Sequence, residues 1–144
     1  MSNKVFPFEI PFLTDLGVEF VAAADGKAEL RLPLLPRHMN SWQVAHGGVV
    51  MTLLDVAMAQ AGRSLYENVA GGVTVEMKTT FVRPSVGAVL TAVGRCYHRS
   101  TTLAFCEADV LDDQGRVCAK ASGTFKYLSG AHLVKRRSDN IARG

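Results

Sequence analysis

Apolar and polar residues roughly alternate over residues 17–24 and again over 27–34, on either side of the dipeptide Asp25-Gly26. Period-two alternation around a turn signal predicts a β-hairpin. Residues 33–45, with Pro36, Asn40 and Ser41, read as irregular. From Gly47 to about Tyr66 there is no proline, and no turn signal comes before Gly62. That stretch predicts a single helix. Beyond the Gly71-Gly72 break the pattern predicts strands over 73–81, 89–100, 102–111 and, after the Asp112-Asp113-Gln114-Gly115 turn, 116–128. About six strands, with one long helix after the second, predict an α+β domain: one antiparallel sheet wrapped against one helix.

The helix has an unusual polarity pattern. Between Val49 and Ala61 only Thr52, Asp55 and Gln60 are polar, and a helix apolar nearly all round is expected to be buried on most sides. At 3.6 residues per turn Val50, Leu53, Leu54, Ala57, Ala61 and Leu65 form the larger face, expected against the sheet. The opposite stripe, Gly48, Thr52, Asp55, Ala59 and Gly62, is small and polar, with Met51 and Met58 at its margins.

Asp55 is therefore a carboxylate in mid-helix among apolar neighbours, and burying an unpaired charge costs several kcal/mol. It is either functional or paired with an arginine from a facing strand. The second signal is His46-Gly47-Gly48 at the predicted helix start. Two glycines there let another group approach the free N–H donors of the first turn, where the helix dipole favours negative charge. The plainer alternative is a tight loop-to-helix turn, and His46 could be a base, a cap or a loop histidine. Gly47 and Asp55 are eight residues apart, roughly 12 Å along one helix axis. One chain cannot close both on one small reacting group, whereas two copies with antiparallel helices could, so this chemistry would require a homodimer.

Composition narrows the partners. At 144 residues, 48% hydrophobic and 20% charged, the chain suits one globular domain. The net charge of +3 is accounted for by residues 129–144, where Lys135, Arg136, Arg137 and Arg143 stand against Asp139. The body is thus neutral and offers no nucleic-acid face, which needs clustered Lys and Arg. Cys96, Cys106 and Cys118 show no CxxC spacing, and are expected to be reduced, half-buried strand residues in a cytoplasmic protein. No metal site is expected. Glu9, Pro7 and Pro11 interrupt any apolar run at the N-terminus, and no apolar stretch approaches the ~18 residues of a membrane span. The expected organisation is one domain over 1–128, with 1–16 as a lead-in, and a basic tail over 129–144.

The stretch at 40–61, NSWQVAHGGVVMTLLDVAMAQA, resembles the signature of hotdog-fold acyl-CoA thioesterases of the phenylacetate-degradation type, in which an Asn or Gln, a His-Gly-Gly and an Asp or Glu recur at this spacing. The resemblance continues through GGVTVEMKTTFVRPSVGAVLTAVGRCYHRSTTLAFCEADVLDDQGRVCAKASGTF and covers residues 10 to about 128. It implies a hotdog fold, the helix being the sausage and the sheet its wrapping. It further implies two sheets joined edge to edge in a homodimer, with a tetramer possible, and sites at the dimer interface. By resemblance Asp55 is the catalytic carboxylate, either nucleophile or general base, and the Gly47 N–H polarises the thioester carbonyl. Asn40 helps hold that carbonyl or the water, and Thr74 supports the carboxylate. The sequence departs from the family's pattern at Ala59, where some relatives carry Ser or Thr, and at Ser100-Thr101, where Gly-Arg is frequent.

The implied reaction is hydrolysis of an aryl- or medium-chain acyl-CoA, with no cofactor because coenzyme A is part of the substrate. Its phosphates call for cations, for which Arg83, Arg99 and Lys120 are candidates. His46 and Gly48 would line the substrate path, and Met51, Met58, Trp42 and Phe81 an apolar acyl pocket. Two rivals remain at this stage: a hotdog hydratase or dehydratase using His46 with Asp55, and a non-catalytic acyl-CoA-binding module.

Overall fold

The computed structural model describes residues 9–67 and 69–129. Of the tail expected at 129–144, all but Ser129, with Lys135, Arg136 and Arg137, lies outside the described residues, as do the first eight residues of the lead-in.

A short helix, α1 (Pro11–Leu16), opens the fold, with proline in its first turn and Gly17 at φ 84° closing it. The sequence pattern did not show it, because six residues are too few to display a 3.6-residue period. The expected hairpin follows as β1 (Glu19–Ala24) and β2 (Lys27–Pro33). Its turn residues Asp25 and Gly26 both take positive φ, 54° and 81°, as the twist of a tight two-residue hairpin demands. A 3-10 turn at Pro36–His38 leads to the long helix α2 (Gly47–Arg63). Then come β3 (Val69–Phe81), β4 (Val89–Arg99), β5 (Leu103–Leu111) and β6 (Val117–Ser129).

The six strands form one antiparallel sheet in the order β1-β2-β4-β5-β6-β3, and α2 packs against every one of them. The expected α+β architecture is therefore the one found. The apolar helix face is buried as its period predicted: Val50, Leu53, Leu54, Ala57 and Ala61 are all within the core. Opposite them, alternate residues of β4 (Leu90, Ala92) and β5 (Ala104, Cys106, Ala108, Val110) point inward.

Two expectations are corrected. Gly71-Gly72 does not break the chain before β3 but lies within that strand. A Cβ on Gly72 would sit 2.8 Å from the Tyr127 ring on the neighbouring β6, so glycine is there to admit an aromatic ring and not to turn the chain. Gly62, expected on the small polar stripe opposite the sheet-facing side, is buried, and a Cβ on it would collide with the Tyr127 hydroxyl and lie 3.0 Å from the Ala104 Cβ.

The closest approach of helix to sheet falls at Gly94 of β4. A Cβ there would overlap the Ala57 carbonyl, 2.6 Å from its carbon and 3.1 Å from the Met58 nitrogen. Backbone on backbone leaves no side chain to rotate away. Gly94→Ala should therefore lower stability by about 2–3 kcal/mol, read as a fall in the urea midpoint at unchanged m-value. A midpoint equal to that of the unaltered protein would show that α2 is free to lift from the sheet.

Candidate functional site

The loop before α2 is held by its own side chains. His38 is fully buried; its Nδ1 accepts from the Leu35 N–H at 2.9 Å, its ring Nε2 lies 2.7 Å from the Leu16 carbonyl, and its carbonyl accepts from the His46 N–H at 2.8 Å. The sequence reading overlooked this residue, since nothing in a loop pattern marks a histidine as buried. Asn40 makes an Asx turn: its Oδ1 accepts from Trp42 N–H at 2.8 Å and Val44 N–H at 3.3 Å. The amide oxygen is thereby used within the loop, and among the described residues the Asn40 Nδ2 has no partner. Asn40 lines the cleft before α2 with its amide donors unpartnered.

The helix start is organised by His46. As N-cap it sits at φ −57°, ψ 138°, and its Nδ1 accepts from the Gly48 N–H at 2.9 Å. Its carbonyl takes the Val49 and Val50 N–H groups. Of the four donors that a helix start leaves open, only the Gly47 N–H lacks a partner among the described residues. A side chain at position 48 would sit 3.1 Å from the His46 Nδ1, so the second glycine admits the cap.

Gly47 and Asn40 line one cleft of about 420 Å³, walled by Val44, Val50, Phe81, Arg83 and Pro84. The Phe81 ring lies over Gly47: a Cβ on that glycine would be 3.4 Å from its Cζ. Of the three cations expected near phosphates, Arg83 alone lines this cleft. Arg99 stacks over the Tyr66 ring at 4.9 Å beyond the far end of α2, and Lys120 is paired with Asp109 at 2.6 Å on the outer face of the sheet.

Asp55 is half-buried further along α2, and its Oδ1 accepts from the Thr74 hydroxyl of β3 at 2.6 Å. No arginine pairs with it among the described residues. The strand is adapted to this contact. Its register against β6 shifts between Thr74 and Glu76, leaving Val75 as a bulge, and bulges re-aim side chains. Thr74 thus faces the helix while Glu76 faces out, its carboxylate accepting from the Thr124 hydroxyl. Asp55 and Gly47 remain separated along the helix, as their spacing required.

Of the residues expected around an acyl group, Trp42 is 84% exposed, Phe81 53% and Met51 39%. Met58 is corrected: it has no exposed surface, and its Cε packs near Gly123 of β6. Its side chain fills the core, because it turns with Ala57 and Ala61 towards the sheet and not with Asp55.

Residues 43–119 match the thioesterase superfamily. The chain is 28% identical to acyl-coenzyme A thioesterase 13 of Mus musculus, over 77% of this chain and 79% of that protein. It is 26% identical to the acyl-coenzyme A thioesterase PaaI of Escherichia coli, over 80% of this chain and 81% of that protein. A Bacillus halodurans protein solved with CoA superposes at a TM-score of 0.79 with 30% identity, covering 87% of this chain and 83% of that one. The chain belongs to the thioesterase superfamily. It is a hotdog-fold thioester hydrolase of the PaaI-like kind.

The cap makes a prediction of its own. His46→Ala should lose about 1 kcal/mol of stability, and His46→Asn, which supplies another capping acceptor, should recover most of it; chemical denaturation of both variants measures this. Equal loss in the two would mean that His46 does not serve as the cap.

Proposed function

We propose that the protein hydrolyses the thioester of an acyl-CoA, of the aryl or medium-chain class, to the free acid and coenzyme A. The observation that carries this reading is the division of labour along α2: one unpartnered N–H at Gly47, beside the Asn40 amide donors, and one carboxylate at Asp55 oriented by Thr74. Donors aimed at a developing oxyanion, with a carboxylate to attack or to activate water, are what acyl transfer needs. Either the Asp55 carboxylate attacks the carbonyl carbon, giving an acyl anhydride that water hydrolyses to the free acid once the thiolate has left, or it takes a proton from the attacking water. The carbon–sulfur bond then breaks, and the CoA thiolate leaves and is protonated. The names of the PaaI and mouse relatives and the CoA-bound neighbour support CoA as the thiol. The cleft's Arg83 is the cation best placed to meet a phosphate.

His46 is not the base in this reading. Its Nδ1 is occupied by the Gly48 N–H, and in the neutral ring the proton then sits on Nε2, leaving no free basic nitrogen. That weighs against a hydratase built on His46. The oxyanion donor and carboxylate come from different copies of the chain. The edge strand β3 supports this: it is thirteen residues long, with Val73, Val75 and Phe81 exposed, and a long apolar edge calls for a partner strand.

Asp55→Asn should lower turnover of acyl-CoAs by about 10² or more with folding intact, while Thr74→Val, which removes only the supporting donor, should cost less. Release of free CoA is followed with a thiol reagent. Binding without release in the unaltered protein would make it a non-catalytic module, and near-normal turnover in Asp55→Asn would remove the carboxylate from the mechanism.

A second test addresses the shared site. Gly47→Pro deletes the one free N–H; proline suits a first helical position, the preceding residue already has ψ 138°, and a Cβ at 47 meets Phe81 at an ordinary 3.4 Å. Mixing inactive Gly47→Pro and inactive Asp55→Asn chains, with subunit exchange shown by mass, should restore part of the activity. No recovery after exchange would place the whole site in one chain.

A further inference from the structure

We propose that Cys96 and Cys106 form a peroxide-oxidisable dithiol that closes to a disulfide between β4 and β5. The two residues are direct partners in the register of these strands. Both point inward, in phase with Ala92 and Gly94 on β4 and with Ala104 and Ala108 on β5. The Cys96 N–H donates to the Gly26 carbonyl at 2.7 Å, on the side of the β1–β2 hairpin. Towards β5 its main chain therefore makes no ladder bond, and Cys96 and Cys106 form the closely spaced kind of antiparallel pair, with Cα atoms about 4.5 Å apart. Disulfides span Cα separations of about 4.4–6.8 Å. The strand register therefore sets the two Cα atoms within the span a disulfide bridges.

The side chains are arranged for the reaction. The Cys96 Sγ donates to the His98 carbonyl at 3.3 Å, and the Cys96 thiol is near enough to act on the Cys106 thiol. Cys96 is half-buried, whereas Cys106 and Cys118 are buried. Burial, with the neighbouring Cys96 adding to it, pushes the Cys106 thiol up to about 12, so Cys106 keeps its proton and waits as the resolving thiol. The Cys96 sulfur attacks one oxygen of hydrogen peroxide: a sulfur–oxygen bond forms, the oxygen–oxygen bond breaks, and water leaves with the thiol proton. The Cys106 sulfur then attacks the Cys96 sulfenic acid. A sulfur–sulfur bond forms, the sulfur–oxygen bond breaks, and a second water carries off the Cys106 proton. Two thiols are oxidised and one peroxide is reduced to two waters.

The test is thiol counting and peptide mass mapping of the whole protein before and after hydrogen peroxide. Two of the three thiols should be lost together, the chain should become two hydrogens lighter, and a linked peptide pair containing Cys96 and Cys106 should appear and vanish with dithiothreitol. Cys118 should stay free. In Cys106→Ala, Cys96 should instead accumulate as a sulfenic acid trapped by dimedone; in Cys96→Ala, the remaining thiols should resist the same dose. Over-oxidation of Cys96 with Cys106 still free, a disulfide joining two chains, or no reaction at Cys96 would each overturn the proposal.

Discussion

The structure depends on one close contact, the backbone of α2 laid directly on the sheet. Gly94 supplies it at the middle of the helix, Gly62 receives the Tyr127 hydroxyl at its end, and Gly123 admits the Met58 side chain. Because α2 approaches this closely, small residues such as Ala57 and Ala61 fill the interface, and the larger apolar side chains of the same helix close the core around them. The same helix carries Asp55. The carboxylate comes within 2.6 Å of a strand hydroxyl on β3, that of Thr74.

The second dependence is local and concerns donors. A helix start leaves four N–H groups without helical partners; here the His46 ring and carbonyl take those of Gly48 and Val49, and the His38 carbonyl takes that of His46. The histidine thereby selects which amide is left over. His38 holds the carbonyl that receives the His46 N–H, and Asn40 fixes the loop between them with its amide oxygen. The side chains of His38, Asn40 and His46 are committed to the backbone. What remains is a set of donors, the Gly47 N–H and the Asn40 amide hydrogens, on residues that line one cleft. A site built only of donors is suited to negative charge that develops on oxygen.

Much of this was legible in the residues because the signals were periodic or costly. The hairpin turned where Asp25-Gly26 said it would, and the buried face of α2 followed its 3.6-residue spacing. Asp55 stood out because an unpaired carboxylate in that setting is expensive, and Thr74 was reached through family resemblance before the structure brought it to Asp55. The illegible parts share a physical cause: they depend on what a residue meets across the fold. Gly71-Gly72 has the composition of a turn, and only the Tyr127 ring explains it as strand. Met58 and Met51 look alike on a wheel, yet one fills the core and the other is exposed. The Val75 bulge leaves no mark in the pattern, and neither does the pairing of Cys96 with Cys106, which needs the register of two strands.

The edge strand β3 is the element that ties both halves of the proposed site together. Near one end Thr74 holds the carboxylate, and at the other Phe81 covers Gly47. In one chain these ends are as far apart as the strand is long. In the dimer proposed above, a second β3 running antiparallel and centred near Met77 and Lys78 brings the Phe81 end of one copy beside the Thr74 end of the other. The carboxylate and the free N–H would then converge twice, once on each side of the two-fold axis. The exposed valines of β3 would be covered by the same pairing, so the contact that would remove an aggregation-prone edge would also complete the site.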